Sequence, residues 1–218
     1  MDTFLPIFFG LITLVTLLIM IKATNANKSF IFFLIIWVII IGINSFLGFF
    51  ENTESLPPRF VFIIAPVILW VIYFYKKLRN TEVRIPWLLS LHVLRIPVEI
   101  TLYYLFIQQL IPQAMTFEGW NFDIFSGITA LILLVMVAIA GVSRWQKLIY
   151  YWNYFGLLLL AMIVITAILS APTPLQQINF NQPNVAVLQF PYTFLPALVV
   201  PLVALSHLLL LNKLKPKA

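Results

Sequence analysis

The chain has 218 residues, of which 62% are hydrophobic, 16% aromatic and only 9% charged, with a formal charge of +6 and a mean hydropathy of +1.04. A soluble domain carries about 25% charged residues and about 45–50% apolar ones, so this composition excludes a soluble globular domain, a disordered chain and a nucleic-acid-binding module. The apolar residues come in long unbroken runs, which excludes an outer-membrane barrel, whose strands alternate apolar and polar side chains. Cysteine is absent, so disulfides, thiolate nucleophiles and Cys-ligated metal clusters are excluded as well.

The expected fold class is all-α: a polytopic integral membrane protein with seven transmembrane helices in one bundle spanning residues 1–218. A bilayer core of about 30 Å needs roughly 20 apolar residues per helix. In chain order the segments that qualify are about Phe4–Ile21, Ser29–Phe50, Phe60–Tyr75, Pro86–Ile111, Ile124–Val142, Leu148–Ser170 and Tyr192–Asn212. The start, MDTFLPIFFG, has an acid ahead of the apolar run, no Lys or Arg, and no small-residue cleavage site. A retained first helix is therefore expected rather than a cleaved signal peptide. The fourth segment is interrupted by charges and Pro97, and the seventh by Pro196 and Pro201. Proline removes a backbone donor and clashes one turn back, so both are expected to be kinked. Connections are short except for Ala171–Pro191, which is rich in Pro, Gln and Asn and free of charge.

Charge sets the expected orientation, N-out and C-in. With the N-terminus outside, the inner side holds Lys22, Lys28, Lys76, Lys77, Arg79, Arg84, Arg144, Lys147, Lys213, Lys215 and Lys217, eleven of the thirteen basic residues. The outer side then holds Asp2, Glu51, Glu54, Glu118 and Asp123, five of the seven acids. Lys and Arg in short cytoplasmic loops orient a bundle in this way. The expected location is the plasma (inner) membrane, crossed several times, with the lipid bilayer as the main partner. No nucleic acid is expected, and a homo-oligomer is left open.

Chemistry concentrates in the fourth segment. His92, Arg95, Glu99 and Tyr103 fall at i, i+3, i+7 and i+11, on one helix face. An ionisable group at membrane depth is costly, faces the bundle interior and needs a partner. Arg95 and Glu99 form an i,i+4 pair that can neutralise each other. His207, in the seventh segment, lies about 9 Å inside the basic end, and His92 about 12 Å, at 1.5 Å rise per residue. The two imidazoles are thus expected at one depth, lining one polar cavity. The connection Thr116–Asp123 is dense in polar groups. Glu118, Asn121 and Asp123 are assigned to an outer mouth, with Asn121 or Asp123 capping the fifth helix. Thr13, Thr16, Asn44, Ser45 and Thr166 can bond across helices. Asn153, among polar aromatics, is placed near the interface.

No cofactor or metal is expected. Lys213 sits at the border rather than mid-membrane, so a retinal Schiff base is excluded. Two histidines exclude a four-His double haem, and no HExxH motif is present. The leading functional expectation is a carrier or permease-like protein that binds a small solute or a proton at His92, Arg95, Glu99 and Tyr103, with His207 in the same cavity. Broken helices with central polar groups point to such a site. The alternatives are a membrane-embedded enzyme or redox subunit using His92, His207 and Glu99, and a seven-helix receptor or structural subunit of a membrane complex.

Overall fold

A computed structural model describes residues 4–216; Asp2 and Lys217, both used in the charge count, lie outside the described residues. Eight α-helices make up seven spans long and apolar enough to cross a membrane. They are α1 (Phe4–Ala23), α2 (Lys28–Phe46), α3 (Val61–Leu78), α4 (Ile85–Val93), α5 (Arg95–Ile107), α6 (Asp123–Ala140), α7 (Val142–Ser170) and α8 (Val200–Leu214). The fourth span is α4 and α5 together, separated by Leu94 alone. Pro97 has no N–H to give to Val93, so the helical ladder cannot run through this point unbroken. The seventh span opens with a π-helical turn, Leu195–Val199, that runs straight into α8.

Differences from the expected boundaries have local causes. α7 begins six residues early, at Val142 rather than Leu148, because a helix can carry Arg144 and Lys147 past the apolar core. The second span ends at Phe46, before a left-handed Gly48 (φ +70°) and a 3₁₀ turn at Phe49–Glu51. Of the residues expected to bond between helices, Ser45 does so, donating to Thr193 Oγ1 at 2.8 Å. Thr13, Thr16, Asn44 and Thr166 instead donate to the carbonyl four residues back in their own helices, a local alternative open to short polar side chains.

α8 is the central helix. It packs on α3, α4 and α7 and is buried around most of its circumference. Its backbone is held where its prolines leave a gap. Pro201 cannot donate to Ala197, four residues back, and the Ala197 carbonyl accepts from the Trp37 indole N–H of α2 at 2.8 Å. A carbonyl freed inside an apolar bundle needs such a partner. The helices around α8 turn large apolar side chains outward, such as Phe32, Leu69, Ile132 and Leu158, as a lipid-facing surface requires.

One end of the bundle gathers the basic residues, and its connections are tied together. Arg84 N–H donates to the Ala23 carbonyl, Arg84 Nε to Asn25, Lys77 to Ser29, and Gln146 to the Leu214 carbonyl. The other end is built from the longer connections. There Gln182 donates to the Ile111 and Phe106 carbonyls, and the N–H groups of Val185 and Ala186 share the Leu110 carbonyl.

The register of α6 against α5 decides where the chemistry falls. Gly127 lies directly on α5: a methyl built on it would come within 2.7 Å of Ile96 Cγ1 and 3.0 Å of Ile96 N. Asp123 starts α6 one turn away, about 6 Å further toward the non-basic end and level with Glu99. α5 continues eight residues past Glu99, another 12 Å or so. α6 therefore starts part-way through the span. The gap above it is filled by the 108–122 connection, folded on itself, with Ile111, Met115 and Thr116 buried. Gly127→Val should overpack this contact and lower stability by about 1–3 kcal/mol. Gly10→Ala, where nothing lies within 4 Å, should stay within about 0.5 kcal/mol of the parent. Denaturant unfolding in detergent reads both, and equal stability of the two variants would refute the register.

Candidate functional site

The core of the site is an ion pair that joins two spans. Arg95, the first residue of α5, donates Nε–H to Asp123 Oδ2 at 2.7 Å, and its Nη2 lies 2.6 Å from Oδ1. Nε makes the one hydrogen bond of the pair, and the close approach of Nη2 to Oδ1 is an ionic contact that leaves Oδ1 without a hydrogen bond. Two further donors are used. Nη2 reaches the Gly156 carbonyl of α7 at 3.3 Å and Nη1 reaches His207 Nε2 of α8 at 3.3 Å. One side chain thus ties α5, α6, α7 and α8. Its expected partner was Glu99, four residues on; the structure gives that role to Asp123 instead. An i,i+4 pair on one helix is weaker than a partner that a neighbouring helix aims at the charge. Asp123 also sits in the first turn of α6, where the helix dipole favours a carboxylate.

The histidines follow from the arginine. Asn153 donates Nδ2–H to the Ile149 carbonyl at 2.7 Å, so its Oδ1 is the acceptor facing His207 Nδ1, 2.7 Å away. His207 Nδ1 therefore carries the proton, and Nε2 is left to accept from Arg95, which can only donate. The bonding pattern requires a neutral imidazole. His92 lies against it, with ring centroids 4.0 Å apart, and both rings pack on Trp152. Ser206 donates to the Leu88 carbonyl at 3.0 Å, so its oxygen accepts from His92 Nε2 at 3.2 Å. That leaves His92 Nδ1 a buried acceptor without a hydrogen-bond partner. The two Nε2 atoms point to Ser206 and to Arg95, and the rings touch. This geometry does not fit a bis-imidazole iron, which needs both Nε2 atoms on opposite faces of a flat slot.

Glu99 has a different environment. It is 2% exposed. Oε1 accepts from Asn121 Nδ2 at 2.7 Å; the same amide also donates to the Met115 carbonyl at 3.0 Å, and Asn121 Oδ1 accepts the Asp123 N–H at 3.0 Å. Oε2 has no hydrogen-bond partner. Among the described residues the one ion pair is Arg95–Asp123, and Glu99 has none. Nearby, the buried Ser126 hydroxyl on α6 is unpartnered too.

Beside Glu99 opens a cavity of about 430 Å³. Its walls come from α3 (Phe60 to Ile72) and α7 (Leu157 to Ile168), its floor from α8 and the π turn, and its polar end from α5 and α6. Glu99 and Asp123 are its charged lining residues, and the walls are otherwise Ile, Val, Leu, Ala, Phe, Met and Pro.

The sequence-assigned residues therefore divide. His92, Arg95, Glu99, His207, Asn121 and Asp123 come together in one buried network. Asn121 and Asp123 do not stand at an outer mouth, because α6 begins inside the bundle. His92, Arg95 and His207 do not line the cavity; they are packed behind it. Tyr103 is apart from the network, half-buried and stacked on Phe117 at 5.0 Å. Glu118 is exposed and lines a separate surface depression with Gln113, Trp120 and Gln182. The cap residue of α6 is Phe122, without a side-chain cap bond. Asn153, assigned to the interface, is fully buried. Gly156 was not singled out at all, yet a methyl there would lie 2.5 Å from His207 Cε1. The spacing Asn153-x-x-Gly156, a polar and a bare position on one face of α7, was the available signal for both.

Residues 58–215 match the family described as Domain of unknown function (DUF8737), and the chain belongs to that family. The matched stretch contains α3 to α8 and every residue of the network. No curated protein and no solved structure matches the chain.

The two acids should respond differently to neutralisation. Asp123→Asn strands the Arg95 charge in a buried site, a loss of about 3–5 kcal/mol. Glu99→Gln keeps an acceptor for Asn121 and breaks no ion pair, so it should cost about 1 kcal/mol or less. Arg95→Met with Asp123→Leu should recover most of the Asp123→Asn loss. Unfolding free energies in detergent micelles measure all three, and a Glu99→Gln loss equal to that of Asp123→Asn would contradict the assignment of partners.

Proposed function

We propose that this protein is a carrier of the inner membrane in which Glu99 takes up and releases a proton or a small cationic solute. The observation that carries the reading is charge balance around one carboxyl. Arg95 and Asp123 neutralise each other. Glu99 has no cation of its own, keeps one oxygen unpaired and opens onto a cavity. An ionised carboxylate so placed requires a counter-charge, and an intramembrane acid of this kind marks a proton or ion route. Arg95, His92 and His207 hold the site in shape and do not touch the bound species.

The broken ladder at Leu94 and the π turn at Leu195–Val199 support the same reading. Discontinuous spans at a central polar group are the pattern of secondary carriers, and π turns frequently occur at functional sites. The proline-interrupted fourth and seventh spans are the bending points. The N-terminus is outside and the basic end faces the cytoplasm, as the positive-inside rule requires.

Orientation is read by labelling. Single cysteines at the exposed positions Asn52 and Gln177 should react with an impermeant maleimide in intact cells, and one at Asn80 only after permeabilisation. The reverse pattern overturns the orientation. Function is read in proteoliposomes. Under an imposed pH gradient and potential, vesicles with the parent protein should take up protons, followed by an enclosed pH dye, at least about tenfold faster than vesicles with Glu99→Gln. Equal rates for the two would end the carrier reading.

A further inference from the structure

We infer that the species paired with Glu99 is the ammonium group of an amphipathic amine, whose apolar body lies in the crevice between α3 and α7. The inference deepens the proposal above and rests on its assignment of Glu99 as the binding carboxyl.

The crevice supplies one charged end and a long apolar remainder. Its α3 wall runs from Phe60 to Ile72, about 18 Å at helical rise. Its volume of about 430 Å³ falls among ligand cavities of about 300–1,000 Å³. Along the α3 rim Ile68 and Ile72 are half exposed, so the crevice opens sideways at the level of the apolar belt.

Charge selects the head group. Both acids of the network line the polar end, while the Arg95 guanidinium stays behind Asp123. An anionic head would meet two carboxylates. A phospholipid bearing an ammonium would bring its phosphate to the same two groups. A neutral head gives no counter-charge when Glu99 is ionised. A bare inorganic cation would find Glu99 and Asp123 but no ring of further oxygen ligands in walls of Ile, Val and Leu, and such ions take about six to eight oxygens. An ammonium satisfies Glu99 Oε2 with a charge-assisted hydrogen bond. Its further donors face Asp123, the other carboxylate that lines the crevice. The attached apolar chain replaces lipid along α3, α7 and α8.

The test uses the full chain in nanodiscs with octylamine as the probe, its affinity measured by titration calorimetry. Octanol, octanoate and lysophosphatidylethanolamine are the comparison compounds. Octylamine should bind at least about tenfold more tightly than any of the three. Glu99→Gln should remove that preference. Ala161→Phe, which fills the crevice from α7 without touching a carboxyl, should weaken octylamine by a similar factor while the unfolding temperature stays at the parent value. Equal affinity for octylamine and octanol identifies an acyl chain as the occupant and overturns the inference. So does octylamine binding unaffected by Glu99→Gln or by Ala161→Phe. Selective octylamine binding with no proton flux in proteoliposomes leaves the ligand class standing and removes the carrier reading. Flux dependent on Glu99 without amine selectivity does the opposite.

Discussion

The ion pair of Arg95 and Asp123 organises the interior of this bundle. A guanidinium at membrane depth has no water to fall back on, so each of its donors needs a protein acceptor. The chain supplies them from three directions: a carboxylate at the start of α6, a carbonyl of α7 and an imidazole of α8. Much else follows. α6 must begin inside the span to bring Asp123 to this depth. α7 must carry glycine at position 156 to let the His207 ring and the guanidinium pass. His207 must be neutral to accept, and Asn153 must turn its oxygen toward it. The polar network is a chain of donors and acceptors with one consistent direction.

Glu99 joins that network only through Asn121, although it is one turn from Arg95. Its tie is the Asn121 amide, which is neutral and also engaged with Met115. A paired and an unpaired carboxylate thus lie within one helical turn of Arg95. The histidines and the Arg95–Asp123 pair are packed together, with His92 Nδ1 and Asp123 Oδ1 lacking a hydrogen bond, while Glu99, a residue lining the crevice, keeps a buried oxygen with no partner at all. A buried network that were satisfied throughout would serve only to specify packing. Here one oxygen of a buried carboxyl that lines an apolar crevice is left without a partner.

The helices were legible from apolar runs of sufficient length, and His92, Arg95, Glu99 and His207 were legible as polar groups inside those runs. The shared depth of the two histidines, estimated from their distance to flanking basic residues, agrees with rings 4.0 Å apart. What the residues alone did not reveal was how far the connection before α6 dips. A polar stretch between two apolar runs reads as a surface loop, which puts Asn121 and Asp123 at a mouth and leaves Arg95 its neighbour on the same helix as partner. The bare face of Gly127 against Ile96 is what fixes the true level, and that is a contact between spans rather than a pattern along the chain. Asn153 was misplaced for a related reason. Its aromatic neighbours suggest an interface, but α7 extends six residues further toward the basic end than its apolar run indicates. The same residue is therefore well inside.

The early start of α6 also has an electrical consequence. Glu99 lies about 12 Å below the end of α5, about two fifths of a hydrocarbon core some 30 Å thick. Between it and that end stands the irregular 108–122 segment. Toward the basic end stand two imidazoles in tilted contact and close-packed helices. A positive charge arriving through the irregular segment would cross about two fifths of the transmembrane voltage. At about 2.3 kcal/mol per charge per 100 mV, this is about 0.9 kcal/mol, or roughly a fivefold change in occupancy for each 100 mV. A site formed where α5 ends would sense almost none of the field. By starting one helix part-way down, the fold would make the binding of a cation at its buried, unpaired carboxyl depend on the voltage across the membrane.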